Sequence, residues 1–446
     1  MKIRLPATVK AVLDGLHGKG FEAYAVGGCV RDSILGRRPD DWDITTSARP
    51  EEVKRIFSRT VDTGIAHGTV TVLVGSKAHE VTTYRIDGTY GDGRHPDSVT
   101  FTASLPEDLK RRDFTVNAMA YNEEEGLIDL CGGMEDLQKK VIRCVGDPME
   151  RFSEDALRIL RAVRFSAQLN FGIDKETLVG IVRMAPTLAK ISAERICTEL
   201  LKLIESEHPD YLKVAYEAGI TKIILPEFDA MMDTPQNNPH HCFSVGDHTL
   251  KTMCAIESGK VQRLTMLLHD VGKPCSRTTD EKGIDHFKGH GPAGAELAEK
   301  IMKRLKLDND TIRKVTTLVK YHDWRIQPEE KAVRHAVNRI GTELFPVLLK
   351  VQNADMMAQS PEYMPQNLQR IIGVSGIYEK IIREAQCVSL KELQLSGGDI
   401  VALGCAPGPE VGRLLQKALE EVLDDPEKNS REYLLDFVRT QREVKE

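Results

Sequence analysis

Residues 26–44, VGGCVRDSILGRRPDDWDI, set a Gly27-Gly28 pair twelve residues ahead of two carboxylates, Asp41 and Asp43, separated by one tryptophan. On a β-strand successive side chains point to opposite faces, so Asp41 and Asp43 share a face and converge on the same cations. Magnesium takes carboxylate and phosphate oxygens and keeps several waters, which suits the pair to a nucleoside triphosphate better than to a closed structural cage. Metals held this way activate an attacking hydroxyl and steady a leaving phosphate. Glycines without Cβ let the backbone approach a triphosphate and offer it N–H groups, and Arg31 follows at once. Either element alone marks an ordinary turn or strand end; the combination at this spacing points to nucleotide chemistry.

Working outward, 446 residues allow about three domains at roughly 150 residues each. Few aromatics (5%) and many charged residues (29%) lean the chain towards helix. The net charge of -6 excludes a polybasic binder along the whole chain, so RNA contact has to come from a local positive face. Nine cysteines, odd in number and without a C-x-x-C pair, exclude a disulfide framework and a zinc ribbon and fit a reducing cytosol. No apolar stretch approaches the roughly eighteen residues that span a bilayer, and the start lacks a continuous signal-peptide core. A soluble cytoplasmic protein with no membrane partner is expected, and the oligomeric state is not read.

The pattern is helical over 8–19, and then FEAYAVGG, HGTVTVLVG, HEVTTYRI, SVTFTAS and FTVNAMAYNEEEGLIDL carry strand-like runs. Beyond about residue 139 the strand signals vanish, and 153–169, 187–206, 209–219, 295–305, 309–320 and 410–423 read as amphipathic helices. The expected fold class is α+β, a small α/β head followed by helical regions. A Pro/Asn-rich break at 225–241 marks one boundary and the region 360–375 another.

Within the head, Glu80 sits on a strand beside the Asp pair as a third carboxylate, followed by a loop with three glycines, Asp92, Arg94 and Pro96. DLKRRDFTVNAMAYN at 108–122 offers Arg111, Arg112, Asp113 and Asn117, cations for phosphate beside groups suited to ribose hydroxyls. In DPMERFSEDALRILRAVRF at 147–165, Ser153 is read as the cap of a helix whose first turn holds Glu154 and Asp155. Asp155 and Arg158, three apart, then share a helix face and present acceptors and donors to a base edge. Residues 139–164 hold seven Lys or Arg against four acids, a positive neck in which Arg161 and Arg164 occupy one helix face. Glu194 and Arg195 read as a structural pair.

Segment 26–44 resembles the nucleotidyltransferase signature of the polymerase-beta superfamily, and GGCVRD narrows the resemblance to the tRNA nucleotidyltransferase and bacterial poly(A) polymerase branch. RRDFTVNA at 111–118 and EDALR at 154–158 are similar to motifs of class II tRNA nucleotidyltransferases. The resemblance implies that Asp41 and Asp43 hold Mg2+, with Glu80 as a further catalytic carboxylate. It implies nucleotide binding by Gly27, Gly28, Arg31, Arg112, Asp113, Asn117 and Arg161, and a protein template for the incoming base made by Asp155 and Arg158. The implied reaction adds CCA: the 3′-hydroxyl of the tRNA acceptor end attacks the α-phosphate of CTP or ATP and pyrophosphate leaves. The uncut loop after Glu80 is unlike that of enzymes adding only CC, and an A-adding enzyme or a poly(A) polymerase stands as the alternative.

His248, His269-Asp270 and Asp355 bring imidazole and carboxylate ligands from three expected helices, a donor set suited to Mn, Fe, Co or Ni. LLHDVGKP delivers the ligand pair on an apolar run, with Gly272-Lys273 placed for a phosphate. This region resembles metal-dependent HD phosphohydrolases, and His290 and His322 fall where binuclear members carry extra ligands. The implied second activity is hydrolysis of phosphomonoesters or 2′,3′-cyclic phosphates at tRNA ends, and in a contrasting reading the head only binds tRNA. Four regions are expected: a head over 1–138, a helical neck and body over 139–226, an HD domain over 227–370 and a tRNA-binding helical tail over 371–446.

Overall fold

The apolar run Ala23–Val26 forms strand β1 at the heart of a seven-stranded mixed sheet, where all four residues are buried because both neighbours are strands. The computed structural model describes residues 2–87, 99–237, 243–359 and 364–443. The chain divides into two units, Met1–Pro226 and Glu227–Glu446.

In the first unit, helix α1 (Ala7–His17) precedes β1, helix α2 (Gly28–Ile34) follows it, and β2 (Asp43–Thr46) returns antiparallel with Val26 opposite Asp43. After helix α3 (Pro50–Ile56) come β3 (Thr60–Gly64), β4 (Thr69–Val74) and β5 (Lys77–Thr83). A side hairpin, β6 (Arg85–Asp87) and β7 (Val99–Phe101), flanks the loop carrying Asp92, Arg94 and Pro96, which lies outside the described residues. Helix α4 (Leu105–Lys110), β8 (Met119–Asn122) and β9 (Gly126–Asp129) complete the head. The sheet order is β3-β4-β5-β2-β1-β8-β9, with β2 and β5 the parallel pair among otherwise antiparallel neighbours. Leu105 and Leu109 of α4 pack with Tyr24, Val26, Tyr84 and Ala120 into a small apolar core under the sheet. Gly27 turns the chain from β1 into α2 at φ 83°, and a Cβ there would stand 3.2 Å from the Arg112 guanidinium.

Two helices replace the single one expected over 153–169. Helix α6 (Pro148–Glu154) is capped by Asp147, whose carboxylate accepts from the N–H groups of Met149 and Glu150, and Pro148 occupies the first helical position. Ser153 is therefore no cap; its hydroxyl donates to the Glu150 carbonyl in the last turn. Asp155 is extended (φ −142°, ψ 103°), and its carboxylate takes the N–H of Leu157 at the start of helix α7 (Leu157–Leu169). After helix α5 (Gly133–Lys139) and this broken pair, helices α8 (Lys175–Met184) and α9 (Ala193–Ile204) pack the body.

The second unit is almost wholly helical, with helices at Val245–Ala255, Lys260–Leu268, His290–Arg304, Asn309–Tyr321, Glu330–Ile340, Phe345–Met357, Met364–Arg383 and Pro409–Asp424. Val333, Val337, Phe345, Leu348, Val374 and Leu414 are among the side chains fully buried in its core. Gly272 is required where a short turn crosses the start of helix His290–Arg304, because a Cβ would lie 2.3 Å from the His290 carbonyl oxygen. The α+β class follows from the seven-stranded sheet of the head and the helices elsewhere; beyond residue 139, where no strand was expected, the described residues add only two-residue strands at Val141–Ile142, Gly172–Ile173, Thr278–Thr279 and Asp285–His286. Among the described residues no helix is long and apolar enough to cross a membrane.

Candidate active sites

The register of the parallel pair, with Ile44 opposite Val81, places Asp43 beside Glu80 at the mouth of a cleft of about 210 Å³, together with Arg85, Arg111 and Arg112. Asp41 lies just before β2 rather than on it, so the expectation of two carboxylates on one strand face is corrected: the strand begins at Asp43. The three acids nonetheless act on one another. Packing of protein around Asp43 raises its carboxyl, Arg112 opposes, and the like charges of Glu80 and Asp41 push it further up. Exposed carboxylates formed from oxygens alone are a donor set that fits Mg2+.

Sequence reading passed over Asp108, which organises the cations here. It is fully buried and receives Arg111 Nη2 at 2.6 Å, Arg112 Nη2 at 3.4 Å and the Thr45 hydroxyl at 3.1 Å. The two arginines hold its carboxyl low against the penalty of burial. The signal was present as an acid three and four residues ahead of two arginines, the i,i+3 and i,i+4 spacing of helix ion pairs.

A second polar chain runs from the glycine turn into the body. Arg31 is buried; it clasps both oxygens of Asp32 at 2.9 Å and donates to Asn117 Oδ1 at 2.5 Å. Asn117 donates to Asp113, and Asp113 takes two bonds from Arg161, at 2.9 and 2.6 Å. Burial works against Asp113, yet Arg161 draws its carboxyl down to about 2. Arg164, expected on a solvated face, is buried; it pairs with Glu199 at 2.5 Å and stacks on Phe165 at 3.8 Å. The positive neck is likewise more neutral than its count: Lys139, Arg143, Arg151, Arg158, Arg161 and Arg164 all hold carboxylates.

Asp155 and Arg158 do not form the side-by-side pair expected of them, because the helix breaks at Asp155. Asp155 accepts from Arg195 at 2.7 Å, a partner forty residues away, while Arg158 pairs with Glu154 and donates to the carbonyls of Arg151 and Arg111. Arg195 thus holds Asp155 and not Glu194, its expected partner.

In the second unit, His248, His269, Asp270, His290, His322 and Asp355 come together, drawn from helices or helix ends spread over more than a hundred residues. Asp270 stands in the middle: one oxygen lies 3.2 Å from His269 and 3.7 Å from His248, the other 3.6 Å from both His290 and His322. Asp355 reaches His248 Nε2 at 2.8 Å and is itself held by Gln359 at 3.0 Å. His269, His290 and His322 each bond through Nδ1 to a carbonyl three residues earlier, which turns Nε2 inward. The Nε2 atoms of His290 and His322 then face each other at 3.1 Å, an approach that a shared cation accommodates. His269 Nε2 and the Asp270 carboxylate are fully buried, and Lys273 is the one Lys or Arg in ion-pair contact with Asp270 among the described residues. This mixed imidazole and carboxylate set fits Mn, Fe, Co or Ni, and the two ligand trios meeting at Asp270 fit two ions. Burial opposes ionisation of Asp270, but His269 and Lys273 hold it well below the usual carboxylate range. Lys273, expected to face a phosphate, is buried between Asp270 and Gln236, each at 2.8 Å.

A carboxylate cleft on the central strands of a mixed sheet, in a unit completed by helices, defines a nucleotidyltransferase-type head, and comparison with known proteins agrees. Residues 23–143 match the family model described as Poly A polymerase head domain, and residues 293–438 match a model of tRNA nucleotidyltransferase domain 2. The CCA-adding enzyme of Enterococcus faecalis is 35% identical over 97% of this chain and 95% of its own length, and that of Levilactobacillus brevis 34% over 91% and 90%. The crystal structure of the Bacillus stearothermophilus CCA-adding enzyme in complex with CTP superposes with a TM-score of 0.74 at 29% identity, covering 98% of both chains. The chain belongs to the family of CCA-adding enzymes.

Proposed function

We propose that this chain adds and repairs the 3′-terminal CCA of tRNA from CTP and ATP. The observation that carries the reading is the cleft in which Asp43 and Glu80 stand beside Arg112, with Asp41 near enough to act on Asp43, in a chain resembling CCA-adding enzymes along almost its full length. Asp41 and Asp43 would hold Mg2+, which when bound lowers the barrier to attack on the α-phosphate and steadies the leaving pyrophosphate. Arg112 opposes the burial and the acidic neighbours that raise the Asp43 carboxyl. Arg111 and Arg112, fixed by Asp108, draw the triphosphate in, and the turn at Gly27-Gly28 lets the backbone come close to it. Asp155 and Arg158 select the base edge, with Asn117, Asp113, Arg31 and Arg161 bracing the sugar end of the site. Extension of tRNA transcripts ending before CCA, after C and after CC, with CTP and ATP separately and together, tests the reading. Growth by C, C and A followed by arrest supports it; addition of A alone on the CC-ending transcript makes this an A-adding enzyme, and long A ladders a poly(A) polymerase.

A second activity is favoured by one observation, the buried cluster around Asp270. We infer that residues near His248–Asp355 form an HD phosphohydrolase site acting on phosphate or 2′,3′-cyclic phosphate at tRNA ends. When bound, its divalent metals supply a hydroxide and polarise the phosphorus centre. The chain's own contribution is to fix the ligand tautomers through carbonyl bonds and to hold Asp270 ionised through Lys273. Release of phosphate from a 3′-phosphorylated transcript, dependent on added Mn2+ or Ni2+ and abolished in His269→Ala, is the expected result; metal-independent release counts against it.

A further inference from the structure

A triphosphate drawn in by Arg111 and Arg112 beside the Gly27 turn occupies the β1 side of the cleft in the head. Displacement at its α-phosphate needs the attacking hydroxyl to arrive in line, opposite the departing pyrophosphate. From β1 the sheet runs through β2 with Asp43 and β5 with Glu80 to β4, so the RNA end that attacks comes from the β5 and β4 side.

Two threonines line the cleft on that side. Thr69 of β4 stands opposite Thr82 of β5, and Thr82 opposite Thr45 of β2, so the three share the sheet face that carries Asp43 and Glu80. Thr82 lies two positions past Glu80, ~7 Å along the strand. The hydroxyls of Thr69 and Thr82 bond to each other at 3.0 Å, and both residues are half-buried in the cleft lining. A hydroxyl has one proton and two lone pairs, so the bonded pair keeps one proton to give and lone pairs to receive with. Among the described residues neither hydroxyl makes another hydrogen bond. Thr45, Thr46 and Thr83 differ: their hydroxyls are committed to Asp108 and the Thr82 carbonyl, to the Glu22 carbonyl and to the Ala48 carbonyl. Thr63 and Thr71 form a like pair at 2.8 Å, but neither lines the cleft.

A 2′-hydroxyl both donates and accepts, and it is the group by which a protein tells RNA from DNA. The 2′- and 3′-hydroxyls of a ribose sit on neighbouring carbons, so a terminal sugar that brings its 3′-hydroxyl to Asp43 and Glu80 turns its other hydroxyl along β5. We propose that Thr69 and Thr82 bind the 2′-hydroxyl of the terminal ribose of the RNA being extended, and so select an RNA end over a DNA end. The proposal rests on the reading of the head as a tRNA-extending site and names a pair that sets its specificity.

The test gives the full-length protein, with Mg2+ and ATP, tRNA transcripts ending in CC whose last sugar is ribose or 2′-deoxyribose. Wild type should favour the ribose end by about tenfold in kcat/KM, the size of one hydrogen bond. Valine keeps the β-branched shape of threonine without its hydroxyl, so Thr69→Val and Thr82→Val should each lower extension of the ribose end by about tenfold and of the deoxyribose end by less than about twofold. Thr82→Ser should keep the preference, and Thr63→Val, which alters the pair outside the cleft, should leave it as it is. Equal losses on both ends make the threonines structural and overturn the proposal, as does a ribose preference that survives both valine variants. A shift in the ATP-to-dATP ratio without one in the ratio of the two ends assigns the pair to the incoming nucleotide and overturns it too. Failure of wild type to extend either transcript removes the extension reading and the proposal with it, whereas extension of both ends alike removes the ribose contact alone.

Discussion

The carboxylate cleft of the head and the histidine cluster of the helical unit both offer donors that suit a divalent metal, and they are built in opposite ways. Asp43 and Glu80 line the cleft from adjacent strands, Asp41 comes from the segment before them, all three are exposed, and Arg112 opposes the burial and the like charges that raise Asp43. In the cluster, His248, His269, Asp270 and His322 are buried within a few per cent of full exclusion, and three rings are pinned by carbonyls. Oxygen ligands in water suit an ion that arrives with the triphosphate it neutralises; buried imidazoles with fixed tautomers suit an ion that stays. Metal dependence should therefore follow substrate at one site and folding at the other.

The largest effects test whether the two sites are independent. Asp43→Asn should lower nucleotide incorporation by about 10³-fold or more, since it removes a metal-holding oxygen worth several kcal/mol at the transition state, and should leave phosphate release unchanged. His269→Ala should do the reverse. Measuring both activities on both variants decides it, and loss of both in either variant would break the comparison.

Next in size is base choice. Asp155→Ala should cost about 10²-fold in the preference for CTP and ATP over UTP and GTP, because hydrogen-bonded discrimination is lost with the acceptor. Arg195→Ala should cost about tenfold in the same ratio, with Arg195→Lys largely restoring it, since Arg195 acts by holding Asp155. Single-turnover incorporation with each nucleotide reads the ratio, which a merely structural arginine would leave unmoved while lowering all four rates together.

These two residues also mark where sequence reading stops. The glycine turn, the Asp pair and the HD dyad are legible because their chemistry is local, set by residues within a few positions of one another. Asp155 reads as first-turn helix behind a Ser153 cap because no glycine or proline follows it; the break depends on its own carboxylate taking the Leu157 N–H and on Arg195, forty residues on. The true start of α6 was signalled by Asp147-Pro148, an acid cap followed by proline at the first helical position, a cue outweighed by the attraction of Ser153. Asp108 went unread for a different reason: a buried acid looks like any surface acid until the fold closes over it.

A smaller effect distinguishes resident from arriving metal. Saturating Mn2+ at 100 times its dissociation constant should stabilise the cluster by about 2.7 kcal/mol, a rise of several degrees in the melting temperature of the helical unit. Differential scanning calorimetry without nucleotide should record that rise in wild type and not in His269→Ala. A comparable Mg2+-induced rise that survives His269→Ala and disappears in Asp43→Asn would place the resident ion in the head and invert the contrast.

The smallest effect concerns the electrostatics of the cleft. Asp43 titrates above the ordinary carboxyl value of ~3.9, chiefly because protein packs around it, with Glu80 and Asp41 adding to the shift. A carboxyl raised in the folded chain contributes stability that is fully present below its unfolded value and is lost as pH rises through the folded one; ionised Asp43 is a small cost to the fold that Mg2+ or Arg112 offsets. Glu80→Gln removes one like charge and should bring the Asp43 titration down, read by carboxyl ¹³C NMR without metal. Because Arg112 draws the same carboxyl the other way, Arg112→Gln should move it up. If both substitutions leave Asp43 where it is, burial alone sets its charge. The cleft would then be a desolvated pocket like the cluster, and the distinction between an arriving and a resident metal would have to rest on ligand chemistry alone.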